Sequence, residues 1–162
     1  MNEASNLRYK PLLRLVSKSK YYHRLIDLIA QGKVKIVIHD AIFAEALSVL
    51  LKSEENKIFG RIDRERIVLD ERTRQRVLEN LEIAVGALSV DVVTIGKEEI
   101  DKTLEKVKDV CISAFDALTL VVADEVKPDL IATDDKLFRN RALQRGYEVC
   151  FEEEIYEKLG LT

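Results

Sequence analysis

The stretch at residues 113–138, SAFDALTLVVADEVKPDLIATDDKLF, decides how this 162-residue chain folds. Residues 113–125 read as an apolar helix, with Ser113 three residues before Asp116 in the arrangement of a capping box, Asp standing where Glu is usual. Residues 129–132 read as a short strand, and Asp134-Asp135 follow directly. A further helix spans residues 136–144 and stops at Gly146. Asp116 is the only charged side chain between residues 110 and 123 (VCISAFDALTLVVA), in a chain where 34% of residues are Asp, Glu, Lys or Arg. An ionised carboxylate carried into an apolar element loses several kcal/mol of hydration unless it is compensated. Such a group is either paired or functional.

The same alternation of strand and helix extends outward. Residues 34–38 (VKIVI) and 91–95 (DVVTI) are strands rich in β-branched residues, and residues 147–151 form another. Between them the spacing predicts helices over 10–16, 21–30 (closed by Gly32), a segment from Asp40 that carries Glu45, 74–89 and 97–108. Strands alternating with helices imply an α/β fold, a parallel sheet covered on both sides. Asp40 is the expected N-cap of the helix that bears Glu45.

Glu45 repeats the anomaly of Asp116. It is the sole charge in residues 41–51 (AIFAEALSVLL), and Ala41, Ile42 and Val49 share its helix face. Asp134 and Asp135 end a strand, where open α/β sheets keep their sites, although capping the next helix would also account for them. Acids from separate elements brought round one point repel each other, and a hard divalent cation relieves that repulsion. Mg²⁺ or Mn²⁺ takes carboxylate oxygens, retains waters and accepts a substrate phosphate. No P-loop, GxGxxG, GxSxG or HExxH motif offers rival machinery.

With six Gly, two Pro, no repeat and no linker-like tract, the chain is expected to form one domain, residues 1–162. No uncharged run approaches membrane-spanning length, so a soluble cytoplasmic protein without membrane association is expected. Cys111 and Cys150 lack metal-ligand spacing and read as small core residues, and His23 and His39 are isolated. The absence of Trp and the abundance of Glu, Lys and Arg lean toward a thermophile. The net charge of −3 hides an asymmetry: Arg8, Lys10, Arg14, Lys18, Lys20, Arg24, Lys33 and Lys35 face only Asp27 in residues 4–39, whereas the tail holds Glu148, Glu152, Glu153, Glu154 and Glu157. The basic region suits phosphates or a solvated helix face equally.

The segment Phe115-Asp116-Ala117-Leu118-Thr119-Leu120, then Ala123-Asp124-Glu125, then Asp129 through Thr133-Asp134-Asp135-Lys136-Leu137-Phe138, resembles the C-terminal half of a PIN domain. That family carries a helix of the type F/Y-D-A-L and a strand ending in T-x-D-x-x-L/F. Ile38-His39-Asp40-Ala41-Ile42-Phe43-Ala44-Glu45 resembles its strand-to-helix segment with an acidic "A-E" position. The likeness runs from about Tyr22 to the C-terminus. It implies a three-layer α/β/α, Rossmann-like fold with a central parallel sheet, and an Mg²⁺- or Mn²⁺-dependent endoribonuclease acting on single-stranded RNA.

By this resemblance Glu45, Asp116 and Asp135 are catalytic metal ligands. Asp134 falls between them as an outer or alternative ligand. Arg139, Arg141 and Arg145 lie just past the acidic strand end, where contact with the RNA backbone and plain surface solubility are equally open readings. Many members are VapC-type toxins, which implies an antitoxin partner and a homodimer. The chain departs from the family at its start, where a strand ending in Asp is expected. Here Glu3-Ala4-Ser5 stands for D-A-S with Glu3 as the acid, or Ala4-Ser5-Asn6 stands for D-x-N with the acid lost, and almost no residues remain to build that strand. A catalytically degenerate PIN-like module binding RNA or protein is the alternative. A phosphoacceptor of response-regulator type fits the order of the acids less well.

Overall fold

The computed structural model describes residues 3–7, 9–17, 20–60 and 68–161, with the backbone alone at 3–7, 9 and 21. Five parallel strands, β1 (Glu3–Leu7), β2 (Val34–His39), β3 (Asp91–Val93), β4 (Leu130–Thr133) and β5 (Val149–Phe151), form one sheet in the order β3-β2-β1-β4-β5. Helices α1 (Tyr9–Val16) and α2 (His23–Ala30) join β1 to β2, and α3 (Asp40–Phe59) and α4 (Glu71–Ala87) lead to β3. After β3 come α5 (Lys97–Val110), α6 (Ala114–Val126), α7 (Lys136–Gln144) and α8 (Ile155–Lys158).

The pleat of the strands sorts the helices into two outer layers. Successive side chains of a strand point to opposite faces. Val34, Ile36 and Ile38 of β2, Leu130 and Ala132 of β4 and Cys150 of β5 join Leu12, Leu15, Leu25, Ile42 and Leu81 in one core. The alternate residues Ile131 and Val149 join Val110, Ala117, Leu120, Phe138 and Ala142 in the other. The first two crossovers therefore cover one face and the last two the other. The expected three-layer α/β/α architecture with a central parallel sheet is what the chain adopts.

β1 differs from the sequence expectation. Its five residues, EASNL, carry no β-branched side chain, yet they form the middle strand, with Asn6 beside Val37 of β2 and Ile131 of β4. Pairing on both edges supplies what local propensity withholds. Because β1 connects toward β2 on one face and β4 is reached from the other, the topological switch point falls between β1 and β4. In open α/β sheets the crevice for a ligand opens there, outside the carboxyl ends of the strands.

Turn chemistry follows the sequence in most places. Gly32, at φ 67°, ends α2, with its own N–H and that of Lys33 closing on the carbonyls of Ile29 and Leu28. Asp40 is an exception. His39 occupies the N-cap position of α3, and Asp40 Oδ2 instead accepts the N–H of Ile95 at 3.1 Å, tying the start of α3 to the segment after β3. Cys111 is a second exception, being exposed at the left-handed C-cap of α5, while Cys150 is buried as expected. Burial pushes the Cys150 thiol up to about 12, which makes it a packing group and not a nucleophile. Among the described residues no helix is long and apolar enough to cross a membrane.

Candidate functional site

Chain direction alone carries three of the candidate acids to the carboxyl edge of the sheet. α3 leaves β2 without a loop, so Glu45, in its second turn, stands above that edge. Only Asp134 and Asp135 separate β4 from α7, with Asp135 as the helix N-cap. α6 runs the opposite way to β4, which it precedes: its C-cap Lys127 and Pro128 lie next to the start of the strand, so its N-terminus and Asp116 lie at the far, carboxyl edge. A cross-link supports this placement. The fully buried His39 at the end of β2 puts Nε2 3.2 Å from Thr119 Oγ1 of α6, and its ring centroid lies 5.6 Å from that of Phe115.

Asp116 is only 9% exposed and is flanked by the buried Ala117 and Leu118. It is the third residue of α6, and its N–H donates to Ser113 Oγ at 3.1 Å, the capping expected from the sequence. A carboxylate in a first turn gains from the aligned N–H groups and positive end of the helix dipole, which helps to offset its lost hydration. Asp116 Oδ1 and Glu45 Oε2 are both closed off from solvent.

Asp135 has two tethers. Its N–H donates to Oγ1 of the fully buried Thr133 at 3.0 Å, and its Oδ1 accepts the N–H of Phe138 at 2.9 Å. The first fixes the Asp135 backbone at the strand end, and the second orients the carboxylate as the N-cap of α7. The structural role weighed for this acid is therefore real, and it leaves the outer part of the carboxylate at the edge.

Asp134 behaves differently from its neighbour. Lys10 Nζ lies 2.7 Å from Asp134 Oδ2. One turn along α1, Arg14 pairs with Glu152, a 6%-exposed acid immediately after β5. The hydrogen bond and the charge of Glu152 hold the Arg14 guanidinium above its ordinary value. Neither Glu152 nor this pairing was singled out in the sequence. Its signal was the i, i+4 spacing of Lys10 and Arg14 beside Leu12 and Leu15, which are fully buried.

Glu3 does not join the edge. It is the first residue of β1 and pairs with Val34, the first residue of β2. At about 3.3 Å per residue, four residues of strand separate it by roughly 13 Å from the end of β1 at Leu7. Its side chain lies outside the described residues. The carboxyl end of β1 carries Asn6 and Leu7, so the described part of this strand brings no acid to the site.

Two of the three arginines expected to touch RNA also have partners within the protein. Arg139 lies 3.3 Å from Glu154 and 4.6 Å above the Phe151 ring, and Arg145 pairs with Asp109 at 3.2 Å. Arg141 is exposed. In the basic N-terminal region Lys10, Arg14 and Lys35 have carboxylate partners and Arg24 lies over Tyr156, while Arg8 and Lys18 fall outside the described residues.

Glu45, Asp116 and Asp135 thus share one edge of the sheet without being drawn into a compact cluster. Among the described residues no group of three or more His, Cys, Asp or Glu side chains stands close enough to hold a metal ion. A groove of about 520 Å³ between α5 and α6, lined by Lys102, Glu105, Lys106, Asp109 and Asp124, lies elsewhere. Asp124 is eight residues beyond Asp116, roughly 12 Å along the helix, and it holds Lys106 and Tyr147 in a closed network.

Comparison with known proteins places this edge in a recurrent fold. No protein-family model and no curated protein sequence matches the chain. Among solved structures, PAE2754 from Pyrobaculum aerophilum superposes with a TM-score of 0.62 at 15% identity, over 99% of this chain and 91% of that one. A chain of VapBC2 from Rickettsia felis, solved bound to a DNA fragment from their promoter, gives a TM-score of 0.55 at 13% identity, over 91% of this chain and 98% of that one. At such identities the shared property is the α/β fold.

Proposed function

We propose that the chain is a PIN-type, metal-dependent endoribonuclease that hydrolyses phosphodiester bonds of single-stranded RNA in the cytoplasm. The observation that carries this reading is Asp116: a carboxylate nine-tenths buried in an apolar helix, at the edge of the switch point, where Asp135 also stands.

The donor set suits Mg²⁺ or Mn²⁺ in kind, since all three acids offer hard oxygens. It does not assemble a three-carboxylate cage by itself. An octahedral cation bound through one or two carboxylates, with waters and a substrate phosphate completing the shell, asks for less than such a cage. Asp116 and Asp135 would hold it, with Glu45 as the third candidate ligand. A bound metal would supply an activated water and would offset negative charge developing on the phosphate. The protein's own contribution is to orient: Thr133 and the Phe138 N–H fix Asp135, Ser113 fixes the first turn of α6, and the His39–Thr119 contact holds α6 against β2.

The likeness to a chain of a VapBC2 complex supports a further step, that this protein pairs with an antitoxin; a homodimer belongs to the same proposal and rests on the sequence resemblance alone. One observation favours a second reading, a degenerate module that binds RNA or protein without cleaving it. The described carboxyl end of β1 is Asn6-Leu7, with Glu3 at the opposite edge. Incubating a labelled single-stranded oligoribonucleotide with the parent and with Asp116→Asn in Mn²⁺ decides between the two. Cleavage by the parent that is lost in the variant supports the nuclease. Equal behaviour, whether both cleave or neither does, rejects it.

A further inference from the structure

Lys10 and Arg14 stand one turn apart on α1, beside the acids that follow β4 and β5. Their side chains are 49% and 55% exposed, while the partners, Asp134 and Glu152, are 29% and 8% exposed. Each pair therefore has an inner, carboxylate half and an outer, cationic half turned to solvent. A lysine ammonium carries three donors and a guanidinium five, and both heads are about half exposed, so each can meet an anion from the solvent side.

We propose that Lys10 and Arg14 form a clamp for the backbone phosphates of single-stranded RNA at the carboxyl edge. The choice of ligand rests on the ribonuclease reading. The two cations lie i, i+4 on one helix, with Cβ atoms about 5–6 Å apart, and α1 carries them over the strand end that bears Asp135. Asp134 and Glu152 hold the long side chains extended before any ligand arrives, which lowers the entropy lost on fixing them. An edge rich in carboxylates repels a polyanion, and these two residues offer it a cationic approach.

The test is binding of a fluorescent oligouridylate, followed by anisotropy in EDTA across a salt series. Each phosphate contact to a single strand contributes about 0.7 to the slope of log K against log salt. Lys10→Gln lowers the slope by about 0.7, and the double variant Arg14→Gln/Glu152→Gln, which avoids stranding a buried acid, lowers it by a similar amount. Asp134→Asn has the opposite effect, tightening binding several-fold without lowering the slope. Unchanged slopes in both cation variants, or no binding by the parent, overturn the clamp. Cleavage of the same oligonucleotide in Mn²⁺ separates the two claims. A parent that cleaves with clamp-independent slopes refutes the clamp alone. A parent that binds with clamp-dependent slopes and never cleaves supports the clamp and refutes the nuclease.

Discussion

Replacing Asp135 by Asn and by Ala separates its mechanical role from its chemical one. As N-cap of α7 it accepts the Phe138 N–H at 2.9 Å, and Phe138 is fully buried, so the cap fixes where the helix enters the core. Losing such a cap costs about 1 kcal/mol, while Asn caps about as well as Asp. The charge itself, at a helix N-terminus, adds about 0.5 kcal/mol. For a chain of this size each kcal/mol moves the melting temperature by about 2–4 °C. Asp135→Ala should then melt about 3–6 °C below the parent in EDTA, both contributions being lost, and Asp135→Asn about 1–2 °C below it. In Mn²⁺ both variants should lose cleavage by about 100-fold or more, the scale on which single preorganised charged groups act. The decisive variant is Asn, which is close to parental in stability and deficient in turnover. If it cleaves at the parental rate, Asp135 is a cap and nothing else; if Ala melts with the parent, the cap assignment is wrong.

Asp116→Asn removes a buried charge. In EDTA it should melt at or above the parent, while the gain that saturating Mn²⁺ confers on the parent, about 2.7 kcal/mol at a hundredfold excess over Kd, disappears; a variant that still responds to Mn²⁺ refutes the ligand role. Glu55, 2% exposed, accepts the Val68 N–H at 2.8 Å and pairs with Lys52 at 2.8 Å. Truncating it to Ala strands that donor and should cost about 2 kcal/mol, a fall of about 4–8 °C in thermal denaturation. Asp70 is held below the ordinary aspartate range by the backbone N–H and hydroxyl of Thr73. With a depressed folded pKa, its contribution is present above the unfolded value and is lost as pH falls through the folded one. The parent's stability advantage over Asp70→Asn should therefore be full at neutral pH, begin to fall once the pH drops below about 3.9 and be gone below the lower folded value, and an advantage that stays undiminished on acidification contradicts the capping geometry.

The parts of this fold that could be read from the sequence are those whose local pattern agrees with their final environment. β4 is a continuous run of small and apolar residues and β2 is apolar except for the exposed Lys35 and the terminal His39, because both faces of the sheet are covered, and α6 is apolar nearly all round because it is buried along most of its length. β1 broke that rule: Glu3–Leu7 has little apolar content, and its central place comes from pairing with both neighbours, a property of the assembled sheet. The same limit applies to the site. The anomaly of Asp116 was visible as one charge in an apolar run, and the capping power of Ser113 and Asp135 was visible in spacing. The pairing of Arg14 with Glu152, across most of the chain, was not, because it depends on α1 lying over the ends of β4 and β5. Asp40 shows the converse, a residue with a good capping signature drawn away by the N–H of Ile95.

Electrostatics then ties the N-terminal cations to the acids at the carboxyl edge. Asp134 and Asp135 are adjacent in sequence, but Lys10 neutralises the first while the second engages backbone N–H groups at the start of α7. Two adjacent carboxylates are thereby given different characters, one paired with a mobile ammonium and one set by a helix. A backbone amide cannot leave its carboxylate without unwinding the helix; a lysine can share its donors between Asp134 and a second anion. As a phosphate takes a share of Lys10, Asp134 gains negative potential at the same moment that a polyanion arrives beside it, and the edge then favours any cation that bridges the two. The arrangement makes cation binding and RNA binding mutually supportive, a coupling that linkage requires to be equal in both directions: Mn²⁺ should tighten RNA binding by the same factor as RNA tightens Mn²⁺ binding, and Lys10→Gln should weaken that coupling more than it weakens either ligand alone.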